Sequence, residues 1–165
     1  MTDVALTIRS CYLAGPMRGH EENNFPEFHR QAAWLRSKNW KVFSPAERDE
    51  ADEALNGDWK ISAQTGLDYF MQFDLAAVCQ ADAVILMNDW ETSQGARLES
   101  MVAVEIAHPV FEIVRDIRKL GGRKLVSVDN ARIAAEFIAG TRAYDGLPVL
   151  RAFEPVGPCA EIATP

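Results

Sequence analysis

The chain has 165 residues, 48% of them hydrophobic and 25% charged, and a formal net charge of −7. Such a length and balance fit one globular domain with a sizeable core and exclude wholesale disorder. The acidic excess argues against a general binder of nucleic-acid polymers or anionic membranes, which neutralise phosphates with surplus Lys and Arg, and does not exclude a small phosphorylated ligand held by one or two local basic groups.

Strand-like and helix-like segments alternate from the start. Thr7 to Ala14 predicts a first strand, closed by the turn signal Gly15-Pro16. Asn24 has the look of a helix N-cap with Glu27 three residues on, a capping box, and Phe25, Phe28, Ala32 and Leu35 form an apolar stripe. Trp40 to Phe43 predicts a second strand. Arg48 to Lys60 is acidic and weakly patterned, and is expected to be a loop with one helical turn at most. Gly66 to Gln80 predicts a helix, Asp82 to Asn88 a buried strand and Ser93 to Ala107 the next helix, with Leu98, Met101, Val102 and Ile106 as its apolar face. Val110 to Val114 and Lys124 to Val128 are further strands, and Ala131 to Ala139 a last helix. Repeated βα units without an internal repeat imply an α/β fold: a doubly wound, mostly parallel sheet of about five strands with helices on both faces. Residues 1–150 are expected to form one domain and 151–165 a loosely attached tail. The end from Gly146 carries four prolines.

Cys11, Cys79 and Cys159 share no metal-ligand spacing and read as two buried small hydrophobes and one tail thiol. No apolar run has membrane-spanning length and no secretory signal opens the chain, so a cytoplasmic protein without membrane association is expected.

The chemistry concentrates in two carboxylates. Trp90 to Glu99 follows a buried strand and opens a helix, which is where open α/β sheets bind ligands. Ser93 reads as an N-cap, and its hydroxyl with the free amides around Gly95 also suits an anion. Glu99 is either an acid favoured near a helix N-terminus or a nucleophile that the helix dipole keeps ionised. Asp74 falls on the apolar stripe of Leu67, Phe70, Met71, Leu75 and Val78. A carboxylate there is costly unless it is paired, so Asp74 either caps a neighbouring loop or points into the cleft near Glu99. The first loop, Gly15-Pro16-Met17-Arg18-Gly19, lacks both the Gly-x-Gly-x-x-Gly dinucleotide pattern and the Gly-Lys-Ser/Thr of a P-loop. It offers one arginine at the end of a strand, suited to a single phosphate or carboxylate. Arg97 is a second candidate cation, or simply a solvated one.

Cys11-Tyr12-Leu13-Ala14-Gly15-Pro16-Met17-Arg18-Gly19, then Asp74-Leu75, Ala81-Asp82-Ala83-Val84 and Ser93-Gln94-Gly95-Ala96-Arg97-Leu98-Glu99, in that order, resemble the nucleoside 2-deoxyribosyltransferase superfamily, in particular its short bacterial and phage branch. The likeness runs from about Thr7 to Val114. It implies a Rossmann-like sheet and cleavage of the bond between a nucleobase and deoxyribose. By the same resemblance Glu99 is the nucleophile, Tyr12 orients it and Asp74 assists proton transfer. The first loop and the serine further resemble those of deoxynucleoside 5′-monophosphate N-hydrolases. That implies a phosphate site of Gly15, Met17, Arg18, Gly19, Ser93 and Gly95. The chain departs from the family where Ser100-Met101, in place of Leu-Gly, follows the glutamate.

The expected activity is therefore hydrolysis of a 2′-deoxynucleoside 5′-monophosphate through a glycosyl-Glu99 intermediate, with no metal or organic cofactor. The alternatives are base exchange between deoxynucleosides and a non-catalytic nucleotide-binding module. A homodimer or larger homo-oligomer is expected, because relatives complete the pocket across an interface.

Overall fold

The computed structural model describes residues 9–56, 67–118 and 121–142. Five strands, β1 (Arg9–Ala14), β2 (Trp40–Phe43), β3 (Ala83–Leu86), β4 (Val110–Asp116) and β5 (Gly122–Ser127), form one sheet in the order β2-β1-β3-β4-β5. The first four are parallel; β5 runs antiparallel to β4 along its whole length. A link of so few residues cannot make the crossover a parallel pair needs, and Gly121 supplies the left-handed backbone (φ +67°) that lets the chain double back.

Among the described residues five α-helices connect and flank the strands: α1 (Phe25–Arg36), α2 (Pro45–Asn56), α3 (Leu67–Gln80), α4 (Gln94–Glu105) and α5 (Asn130–Arg142). Alternation along the strands divides the core in two. Cys11, Leu13, Ala83 and Ile85 pack with Phe28, Ala32, Leu35 and Ala46 under α1 and α2. Tyr12, Ala14, Val84 and Leu86 face the other way, toward Val78 of α3, Ala96 and Ala103 of α4 and Ile133 of α5. The expected doubly wound, mostly parallel sheet with helices on both faces is the observed one. No helix among the described residues is long and apolar enough to cross a membrane.

Several local expectations need correction. The segment after β2 is a helix of three turns, α2, rather than a loop with one turn at most. It begins at Pro45, directly after Ser44, and proline is pre-organised for a first helical turn. Residues 57–60 of that segment lie outside the described residues, as does the tail 151–165. The capping box at Asn24 does not form: Asn24 is left-handed (φ 61°), its amide donates to the Pro16 carbonyl at 2.7 Å, and Glu27 instead accepts from Gln31. Cys79 is exposed rather than buried; Cys11 is buried, and burial pushes its thiol up to about 12, where it is chemically inert.

The buried face of α4 also differs. Ala96, Glu99, Ser100 and Ala103 turn inward at i, i+3, i+4 and i+7, while Leu98, Met101 and Val102 are half-buried and Ile106 is exposed. Small residues on that face let the helix approach the sheet closely. Ser100 serves this packing, fully buried with its hydroxyl donated to the Arg97 carbonyl at 3.0 Å.

Candidate active site

In the strand order the chain leaves β1 toward β2 on one side and returns to β3 on the other. Between β1 and β3, at their carboxyl ends, lies the switch point where such sheets bind ligands. The loop Gly15–Gly19 leaves β1 there, and the turn leading to Ser93 leaves β3 beside it.

Tyr12 projects from β1 onto the α3 and α4 face and donates its hydroxyl to Glu99 Oε1 at 2.9 Å. Both side chains are buried, Tyr12 2% and Glu99 5% exposed. Asp74 approaches the same hydroxyl from α3 and is 6% exposed. The two readings of Asp74 are thereby decided: it turns into the cluster with Tyr12 and Glu99. Burial first, and the Asp74 charge second, push Glu99 up to about 8, against the lowering effects of the Tyr12 hydrogen bond and Arg48. Asp74 is raised by burial and held back chiefly by Arg48. Tyr12 is driven well above its ordinary value by burial and by the two carboxylates. A helix dipole that keeps Glu99 ionised is not what the geometry provides. Glu99 stands in the second turn of α4, where the dipole has faded, and desolvation dominates.

Arg48 was not singled out by its sequence context, an acidic and weakly patterned stretch. Its Nη1 donates to Asp74 Oδ1 at 2.7 Å, its Nη2 to Asp49 Oδ1 at 2.5 Å, and its guanidinium lies 5.5 Å from the centre of the Phe73 ring. The signal available was a single cation within one turn of Ser44-Pro45, at the carboxyl end of β2.

Ser93 caps α4, its Oγ accepting from the Ala96 amide at 3.3 Å. Gly95 sits over the carboxylate: a Cβ there would lie 3.6 Å from Met71 Cε and 3.9 Å from both Glu99 Oε1 and Ser93 Oγ. Ser93, Gly95 and Glu99 thus share one small region with Met71 as a neighbour. Gly15 has a packing role, since a Cβ would come within 2.9 Å of Met87 Cβ. Met17 packs against the α1 core, Gly19 turns the loop at φ +83°, and Arg18 is exposed, with no hydrogen bond or ion pair among the described residues. Arg97 is half-buried: it donates to the Glu91 carbonyl and its guanidinium lies against Gly140 of α5. The side chains of Leu67 and Phe70 lie outside the described ones.

The Domain of unknown function (DUF4406) family model matches residues 9–112. The chain belongs to the DUF4406 family. No curated protein and no solved structure matches it. The DUF4406 match runs from the first residue of β1 into β4, so Tyr12, Arg48, Asp74, Ser93 and Glu99 all fall inside it, whereas β5 and α5 lie beyond. The family's span and the span of the clustered site residues therefore coincide, while the antiparallel edge is an addition outside the match.

Proposed function

We propose that this DUF4406 protein is an N-glycosidase acting on a 2′-deoxynucleoside 5′-monophosphate, with Glu99 as the nucleophile. The observation that carries this reading is the buried hydrogen bond from Tyr12 to Glu99 with Asp74 alongside. Two carboxylates in one desolvated pocket cannot both ionise cheaply, so near neutral pH the pair retains one proton. One proton and one carboxylate are what a retaining cleavage of a glycosidic bond consumes. The reactive arrangement has the proton on Asp74 and the charge on Glu99, with Tyr12 between them to pass it. Glu99 forms an ester bond to the anomeric carbon as the carbon–nitrogen bond breaks, and the Asp74 proton goes to the departing base. Water then attacks the anomeric carbon, Asp74 takes its proton, and Glu99 leaves as the carboxylate, restoring the starting pair.

A monophosphate is supported over a free nucleoside by the uncommitted Arg18 and by the α4 N-terminus. The Ser93 hydroxyl accepts within the helix and keeps its own proton for an anion.

The test is incubation with panels of deoxynucleosides and their 5′-monophosphates, with and without an acceptor base, followed by chromatography of released bases. Free base from monophosphates alone is the expected result. Exchange without net hydrolysis establishes the transferase alternative, and ligand binding without turnover, unchanged in Glu99→Ala, establishes a binding module. A homo-oligomer in the cytoplasm fits this function, and sedimentation of the full chain tests the assembly.

A further inference from the structure

Arg48 reaches the carboxylate pair from a helix that none of the other clustered residues occupies. The charged and titratable groups facing Asp74 among the described residues are Tyr12 from β1, Arg48 and Asp49 from α2, and Glu99 from α4. Arg48 alone is a cation, and it is asymmetric with respect to the pair: it hydrogen-bonds Asp74 at 2.7 Å, whereas Glu99 takes its hydrogen bond from the neutral Tyr12 hydroxyl. Its other donors, Nη2 and Nε, both go to Asp49 Oδ1, at 2.5 and 3.2 Å. With a carboxylate on each side its charge is already matched, so Arg48 is not an anchor for an incoming anion.

We propose that Arg48 is a positioning residue that, by holding Asp74 as a carboxylate across the gap between α2 and α3, assigns the pair's single proton to Glu99 in the ligand-free protein. A charge-assisted hydrogen bond stabilises the ionised form of the group it touches far more than that of a group one residue removed. The proton then goes to the carboxyl with the weaker compensation, which is Glu99. In the resting protein the nucleophile is capped by its own proton. A ligand that enters beside Asp74 and breaks its hydrogen bond to Arg48 lets the proton cross through Tyr12, leaving Glu99 ionised and Asp74 as the acid. This use in turnover rests on the hydrolase reading; the placement of the proton does not.

The experiment is therefore independent of activity: site-resolved carbon-13 NMR titration of the carboxyl groups in the ligand-free full-length protein, with the two signals assigned from Asp74→Asn and Glu99→Gln. In the unsubstituted protein, Glu99 carries most of the step near pH 8 and Asp74 titrates at lower pH. In Arg48→Met the upper step divides between the two carbons, the share carried by Asp74 rising about threefold or more. Arg48→Lys, which keeps the charge, restores the original division. Asp49→Asn, which leaves more of the guanidinium to Asp74, moves the Asp74 step to lower pH. An Arg48→Met protein that folds and divides the upper step as the unsubstituted one does overturns the proposal. Should that variant not fold, an Asp74 titration unmoved in Asp49→Asn overturns it equally. Base release can fail altogether while these titrations hold, which separates this inference from the proposed reaction.

Discussion

Two arginines in this protein each gather two carboxylates, with opposite consequences. Arg132 of α5 bonds Glu112 at 2.7 Å and also Glu91, and its guanidinium lies 5.6 Å from the centre of the Trp90 ring. All of this happens at the surface, where the Arg132 side chain is 42% exposed. Water and salt screen such a cluster, and its work is to pin the turn before α4 to the sheet. Arg48 meets Asp74 and Asp49 with only 26% of its side chain exposed, and behind Asp74 stands Glu99, buried and without an ion pair among the described residues. Composition is nearly the same in the two places. Desolvation separates a strut from a reactive centre.

The largest expected effect comes from removing the buried carboxyl at position 99. Glu99→Gln should lower base release by about 10⁴-fold or more and should raise stability at alkaline pH. The sign follows from the raised carboxyl. Above pH 4.5 the unfolded chain releases this proton while the native state keeps it to about pH 8, so the unsubstituted protein loses stability across that window and levels off beyond it. Thermal melts should show the variant's advantage growing from pH 4.5 to 8, reaching on the order of a few kcal/mol. An advantage over the unsubstituted protein no larger at pH 9 than at pH 4 would place Glu99 with the surface cluster.

Asp74→Asn should slow base release by about 10²- to 10⁴-fold. It should also alter the pH profile. With the pair intact, kcat/KM falls as pH rises through about 8, where the last shared proton is lost. Without Asp74 that limb loses its origin. Activity that climbs through pH 8 to a plateau in the intact protein would show that only an ionised Glu99 matters.

Arg18→Ala should raise KM for a monophosphate by about tenfold and leave the melting temperature unchanged, since Arg18 is exposed and makes no hydrogen bond or ion pair among the described residues. The smallest effect belongs to the surface cluster. Arg132→Ala should cost under about 1 kcal/mol, a loss that shrinks further as salt is added to the melt.

Much of this arrangement was legible in the residues. Asp74 on an apolar stripe announced a buried carboxylate, and the strand followed by Ser93 and Glu99 announced a ligand-binding turn. Alternating Cys11, Tyr12, Leu13 and Ala14 already held both cores. Arg48 was hidden because its value is tertiary: its partner lies 26 residues away on another helix, and the acidic run around it masks the helix that presents it. The state of Glu99 was misread for a related reason. Helix position can be counted from Ser93, whereas desolvation depends on how closely small residues at 96, 100 and 103 bring α4 to the sheet. The direction of β5 was readable in principle from the short link after Asp116, but strand patterning alone carries no direction.

The central claim is that Glu99 becomes covalently bound to the sugar. Acid-quenching the protein during incubation with a deoxynucleoside 5′-monophosphate, followed by peptide mass spectrometry, tests it directly. The account predicts a deoxyribose 5-phosphate adduct on the peptide containing Glu99, absent from Glu99→Gln. Continued base release by Glu99→Gln, with no adduct at residue 99 in the unsubstituted protein, would contradict it.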